Sequence, residues 1–254
     1  MKKLSMLFIL SLLLVGCSNY NVDSKQHHKN SAEESSSIQS KEEYSSESIE
    51  KELTTLEVLN NFAAQSKSVI DVYYTKKIEI GKDKDIVPGI YDLEITGGSG
   101  NINVERNSLF VMYVNWIGGA DNPDNTYPSK FRIILADKDF LELNGISKFN
   151  LIAVSQNVEV KKELTNGEFV VGRDIPSGKY KVKTSADLNT EYPPSWDIAI
   201  TDLDSREVVN HTLEKNNQDI VIEINDGNIL TTFVSNYNHE VNTDDIKIIF
   251  EKVN

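Results

Sequence analysis

The chain is poor in residues that commit a protein to chemistry: it has one cysteine, four histidines and two tryptophans in 254 residues. One cysteine excludes an internal disulfide, and no second thiol is present for redox or nucleophilic work. Of the histidines, His27 and His28 are adjacent in an acidic polar stretch with no third converging ligand, and His211 and His239 lie far apart. Neither a spaced zinc pair nor histidine acid–base catalysis is indicated, so no cofactor and no metal is implied. Basic residues are also scarce, 26 against 39 acidic, for a formal charge of −13. That balance excludes nucleic acid as a partner and repels anionic headgroups and wall polymers at long range. The only sustained apolar run, Leu4 to Val15, is roughly 12 residues, well short of the ~20 that span a bilayer.

What the N-terminus does have is export anatomy: Lys2 and Lys3, the apolar run, small Gly16, then Cys17. Leu14-Val15-Gly16-Cys17 resembles a bacterial lipoprotein lipobox. The resemblance implies that the Cys17 sulfur receives a diacylglyceryl group and that cleavage before it makes Cys17 the first residue. A thiol suits that transfer because it is the best soft nucleophile in the chain. The expected partner is therefore the extracytoplasmic face of the bacterial cell membrane, reached through a lipid anchor in which each buried methylene contributes about 0.8 kcal/mol. Loss of Lys2 and Lys3 with residues 1–16 takes the formal charge to −15.

Residues 17–50 are Ser, Glu, Lys and Asn with scarcely an apolar side chain. Such a segment cannot bury enough area to offset its ordering entropy, so it reads as a tether with an r.m.s. reach on the order of 30 Å. Leu53, Leu56, Leu59 and Phe62, with Ala63 beside them, then predict a short helix within residues 51–75, with Thr54-Thr55-Leu56-Glu57 as its capping box.

Beyond residue 75 the pattern alternates apolar and polar with period two and twice repeats itself. Asp85-Ile86-Val87-Pro88-Gly89-Ile90-Tyr91 aligns with Asp174-Ile175-Pro176-Ser177-Gly178-Lys179-Tyr180, and Ile78 to Gly81 with Phe169 to Gly172. Downstream, 131–137 matches 196–202 and 141–145 matches 222–227, with Asn144-Gly145 and Asp226-Gly227 suited to tight hairpins. On that alignment the first copy is longer by about 24 residues (93 to 131 against 182 to 196), read as an added hairpin over 97–130. The expected fold is all-β: two tandem antiparallel β-sandwich or jelly-roll-like domains, 76–160 and 161–254, preceded by one helix. The Asp-Ile-Pro-x-Gly-x-Tyr turn, with Gly-Ser-Gly-Asn after it in the first copy, resembles a repeat of surface lipoproteins and phage-associated proteins of low-GC Gram-positive bacteria. That resemblance implies a surface setting and brings no activity with it.

Gly97-Gly98-Ser99-Gly100-Asn101 is neither a nucleophile elbow, since the last glycine is missing, nor a phosphate loop, since no lysine follows. Acidic pairs such as Asp202 with Asp204 and Asp244 with Asp245 read as solvated surface. The segment 118–126 crowds Asp121, Asp124 and other oxygen side chains on one loop but lacks the spacing of a calcium loop. Trp116, Asp121, Asp124 and Tyr127 around it, with Trp196 in the second copy, are the candidate ligand contacts, because aromatic faces and polar loops suit sugars. The expectation is a noncatalytic, lipid-anchored surface protein that binds a cell-wall glycan or surface protein through β-domain loops; the alternatives are an envelope glycan hydrolase or a purely structural lipoprotein.

Overall fold

The computed structural model describes residues 52–106, 113–121, 126–154, 160–237 and 241–253. Cys17, the tether 17–50 and Asp124 lie outside the described residues. Residues 50–254 make one compact unit. Its described residues are all-β with one short α-helix, α1 (Thr55–Gln65), and one 3-10 turn.

Helix α1 starts where the sequence indicates. The Thr54 hydroxyl accepts from the Glu57 amide at 3.2 Å and the Glu57 carboxylate accepts from the Thr54 amide at 2.8 Å, satisfying two orphan donors reciprocally. Its buried face, Leu59 and Ala63, packs with Ile90, Ile134 and Ala136 of the first repeat and with Val170 and Ile229 of the second. The helix thus seals the seam between the repeats; packing against the first repeat alone is only half of its contact.

The first repeat is built on two long strands, β3 (Gly89–Glu105) and β6 (Phe140–Ala153), paired antiparallel along their lengths. The front of β3, 89–94, pairs with β5 (Lys130–Leu135), and its rear, 99–104, with β4 (Val114–Gly119). On the other edge of β6 lie β1 (Val69–Tyr73) and β2 (Ile78–Glu79). This ribbon bends at Gly97–Gly100 of β3 and at Gly145 of β6. Gly98 and Gly145 both hold positive φ, and a Cβ on either would sit 2.4–2.5 Å from a carbonyl of the facing strand. The Gly-Ser-Gly-Asn and Asn-Gly segments are therefore bends inside strands, where the sequence suggests hairpins. Bending turns Tyr91, Leu93 and Ile95 toward Ile102, Val104 and Trp116, and these close one apolar core.

The second repeat makes the same layout from separate strands: β7 (Glu163–Leu164), β8 (Gly167–Val170), β9 (Gly178–Thr184), β10 (Ser195–Thr201), β11 (Val208–Leu213), β12 (Ile220–Ile224), β13 (Ile229–Ser235) and β14 (Ile248–Lys252). Here β9 pairs with β12 and β14, and β14 with β7; β10 pairs with β11 and β13, and β13 with β8. Every pairing has its counterpart in the first repeat, with β9 and β10 standing for the two halves of β3.

Local bonds repeat with the topology. Tyr91 donates to the Val87 carbonyl at 2.7 Å and Tyr180 to the Pro176 carbonyl at 2.9 Å, each four residues back. Asp139 accepts from the Ala136 amide and Asn228 from the Asn225 amide, both at 2.9 Å, and the residue before each, Lys138 or Gly227, holds positive φ. Residue 180 lies as far beyond 91 as 225 lies beyond 136, so the copies are equally long in between. The segment 130–135 therefore corresponds to 220–224, and the match of 131–137 with 196–202 is out of register. The extra hairpin in the first copy disappears with it: the β3–β4 hairpin has the β10–β11 hairpin as its equivalent.

The repeats are not closed off from each other. Strand β5 lies beside β8 in the one parallel pairing among the described strands, Arg132 opposite Gly167. It joins both repeats in a ten-stranded sheet, order β1-β6-β3-β5-β8-β13-β10-β11 with β2 also on β6 and β4 also on β3, beside a four-stranded sheet β12-β9-β14-β7. A Cβ on Gly167 would fall 2.2 Å from the Arg132 carbonyl oxygen, so only glycine permits this approach.

Candidate functional site

Of the concave sites on the described surface, two bear on the sequence candidates. The first lies at the loop end of the second repeat, a cavity of about 250 Å³ lined by Ala186, Asp187, Thr190, Pro194, Val241 and Asp245 among others. The register Ser195 to Ser235 brings Pro194 and Asn236 to the same end of the β10–β13 pair. Asn236 braces the wall: its Nδ2 donates to the Val241 carbonyl and the Thr243 hydroxyl, each at 3.0 Å. Asp187 accepts from the Asn189 amide at 2.8 Å, fixing the opposite loop.

The first repeat is fastened to this end. Thr243 donates its hydroxyl to the Thr126 carbonyl, and the Ser129 amide donates to Asp244 at 2.9 Å. Tyr127 is therefore held at this end at 45% exposure, and Tyr192, at 62%, and Tyr237, at 72%, are chain neighbours of the lining residues Thr190, Pro194 and Asn236. The Thr190 hydroxyl, in the lining, is buried with no hydrogen-bond partner among the described residues.

The second site is a groove of about 390 Å³ where the edge strand β4 faces the outer side of β10, β11 and β13. Trp116 lines it, yet is only 6% exposed and stacks on Phe131 at 5.3 Å, which stacks on Phe233 at 6.5 Å. This three-ring stack ties the repeats together and leaves only the edge of Trp116 accessible.

Trp196 is fully buried, its Nε1 donating to the Thr184 hydroxyl at 3.0 Å, so it is core beneath the first site rather than a ligand contact. Asp121 is exposed, apart from both sets of lining residues. The acidic pairs serve turns: Asp202 caps the amides of Asp204 and Ser205 at 2.9 and 3.0 Å, and Asp204 takes the Thr55 hydroxyl at 2.5 Å. Those amides hold the Asp202 carboxyl below its ordinary range. Among the described residues, no three His, Cys, Asp or Glu side chains converge on a metal-sized site. No described helix is long and apolar enough to cross a membrane.

Sequence reasoning misses Thr190, Asp187 and Asp245, because nothing in a run of polar residues marks which of them will border a cavity. Tyr192-Pro193-Pro194 is the local signal, an exposed aromatic beside a rigid turn. No family model, curated protein or solved structure matches this chain.

Proposed function

We propose that the protein is a lipid-anchored, noncatalytic binding protein of the extracytoplasmic membrane face that engages an envelope glycan through the loop end of its second repeat. The carrying observation is the cavity of about 250 Å³ with the Thr190 hydroxyl, unpartnered among the described residues, in its lining, and with the exposed Tyr192 and Tyr237 within two residues of lining positions along the chain. Aromatic rings beside hydroxyl and carboxylate groups suit the alternating apolar and hydroxylated faces of a sugar. The lipobox-like Leu14-Val15-Gly16-Cys17 and the polar tether support placing that surface outside the cell, at a distance from the lipid.

The test is cosedimentation of the compact unit, residues 50–254, with cell walls of the producing organism. Binding is expected, reduced by Tyr192→Ala and Tyr237→Ala together; no sedimentation with any wall fraction overturns the reading. Asp187 and Asp245 both line the cavity, which keeps glycan hydrolysis as the second reading. Release of reducing sugar, abolished by Asp245→Asn, would establish it instead.

A further inference from the structure

We infer that the groove between the repeats is a second site, distinct from the loop-end cavity, and that it takes a short segment of a neutral polysaccharide. The floor is set by strand register. Asn210, Ala199 and Thr231 form one rung across β11, β10 and β13, and Thr212, Asp197 and Phe233 the next. Ala199 is the smallest side chain of the six, so the floor dips at its centre. The wall comes from β4, with Asn115 and the edge of Trp116.

The chemistry selects the ligand class. The Thr231 hydroxyl is buried with no hydrogen-bond partner among the described residues, a cost that a ligand hydroxyl removes. Asn115, Asn210 and Thr212 add neutral donors and acceptors, and the Thr212 hydroxyl, at 3.2 Å, orients Asp197. His211 and Ile198 also border the groove, but they share a rung whose side chains leave on the opposite face, where Ile198 enters the core. Among the described lining residues Asp197 is the one carboxylate, with no Lys or Arg beside it, in a chain of net charge −13, and phosphate- or carboxylate-bearing polymers are repelled.

The polar surface also continues past the groove. Asn115 pairs in register with Asn103 and accepts from Asn101 Nδ2 at 3.4 Å, and Asn103 accepts from the Tyr113 hydroxyl at 3.3 Å. An asparagine ladder leading out of a groove of about 390 Å³ fits a chain of sugars rather than a single one.

The experiment is titration of 15N-labelled residues 50–254 with cello-, chito-, malto- and mannotetraose, with poly(glycerol phosphate) as the charged control. At least one neutral tetrasaccharide is expected to shift the amides of Ala199, Asn210 and Thr231. Thr231→Val should weaken that binding about tenfold, the loss expected when one ligand hydrogen bond is removed. Ala199→Trp should abolish it by filling the dip, and the exposed Asn210→Ala, which leaves the packing alone, should weaken it without altering the fold. No shift with any neutral sugar, stronger shifts with the charged polymer, or binding indifferent to Asn210→Ala and Thr231→Val each overturn the inference. Wall binding lost on Tyr192→Ala but retained on Ala199→Trp separates this site from the loop-end cavity, so either reading can fail alone.

Discussion

Arg106, at the end of β3, and Glu168, in β8, form a two-pronged ion pair across the seam, with Arg106 Nη2 at 2.6 and 2.8 Å from the carboxylate oxygens. Both side chains are buried, and Glu168 also accepts the Ile134 amide at 2.9 Å, while Arg106 Nη1 lies 3.3 Å from Asp139. Glu168, from the second repeat, is therefore held by Arg106 and the Ile134 amide of the first. Removing one leaves the other charge buried, which costs about 3–5 kcal/mol, whereas replacing both with apolar groups costs far less. Arg106→Met should lower the urea-derived stability by about that amount, because it strands Glu168 and Asp139 together. The double variant with Glu168→Met should recover part of the loss. Full additivity of the two single changes would refute the pairing as an energetic unit.

The paired tyrosines give a graded comparison. Tyr180→Phe leaves the Pro176 carbonyl without its 2.9 Å donor and should cost about 0.5–1.5 kcal/mol. Tyr91→Phe should cost more, because Tyr91 also accepts the Lys67 amide at 3.4 Å and is fully buried. Thermal melts of the two variants rank them; an equal or reversed order would show that the second bond of Tyr91 contributes nothing.

The equivalent turn positions Lys138 and Gly227 predict opposite responses to reciprocal substitutions. Lys138 holds φ 67°, a left-handed conformation in which a side chain is strained, and glycine relieves it. Lys138→Gly should therefore stabilise the protein by up to ~1 kcal/mol, or at least not destabilise it. Gly227→Ala should destabilise by about 1 kcal/mol through backbone strain alone, since a Cβ there meets only ordinary contacts at 3.5 Å. Urea titrations of both variants check the pair, and a destabilised Lys138→Gly would sink the equivalence of the turns.

The all-β class, the helix and its capping box, and the two Asp-Ile-Pro-type turns are legible in the chain because each rests on local chemistry: period-two alternation, a threonine three residues before a glutamate, a proline beside a glycine. The register of the later repeat segments is not legible. Phe131 to Asp137 and Trp196 to Asp202 share apolar alternation, which any core strand shows, whereas the true equivalence is carried by Asp139 and Asn228, two different residues that accept the same amide. The joining of the repeats is equally hidden, since Gly167 and Arg132 meet only through a parallel contact with no sequence pattern of its own. The candidate site was visible only in its aromatics. Tyr127 reaches the loop end because Thr126 and Ser129 are bonded to Thr243 and Asp244, residues far along the chain.

Asp174 makes the seam sensitive to pH, in a direction opposite to that of an ordinary surface carboxylate. Its Oδ1 accepts from Arg132 Nη1 at 2.8 Å and its Oδ2 from the Val170 amide at 2.8 Å, and it is only 2% exposed. Burial raises its pKa above the ordinary 3.8, outweighing the opposing pull of Arg132, the Val170 amide and Arg173. Burial likewise lowers the pKa of Arg173. A carboxyl whose folded pKa is raised binds its proton more tightly in the folded state. Its contribution to stability is full below 3.8 and is lost as pH rises through the folded value. Asp202, held low by the Ser205 amide, works the other way: its contribution is present above the ordinary carboxylate range and lost as pH falls. The whole-protein profile mixes these opposite slopes, so the informative quantity is the difference between the wild type and Asp174→Asn, in which the Asp174 slope is absent. Thermal midpoints measured from about pH 7 down to about pH 4 should show the wild type gaining on the variant as acid is added. A difference that stays constant, or shrinks, would mean that the pairing with Arg132 outweighs burial and that Asp174 is a stabilising carboxylate at neutral pH.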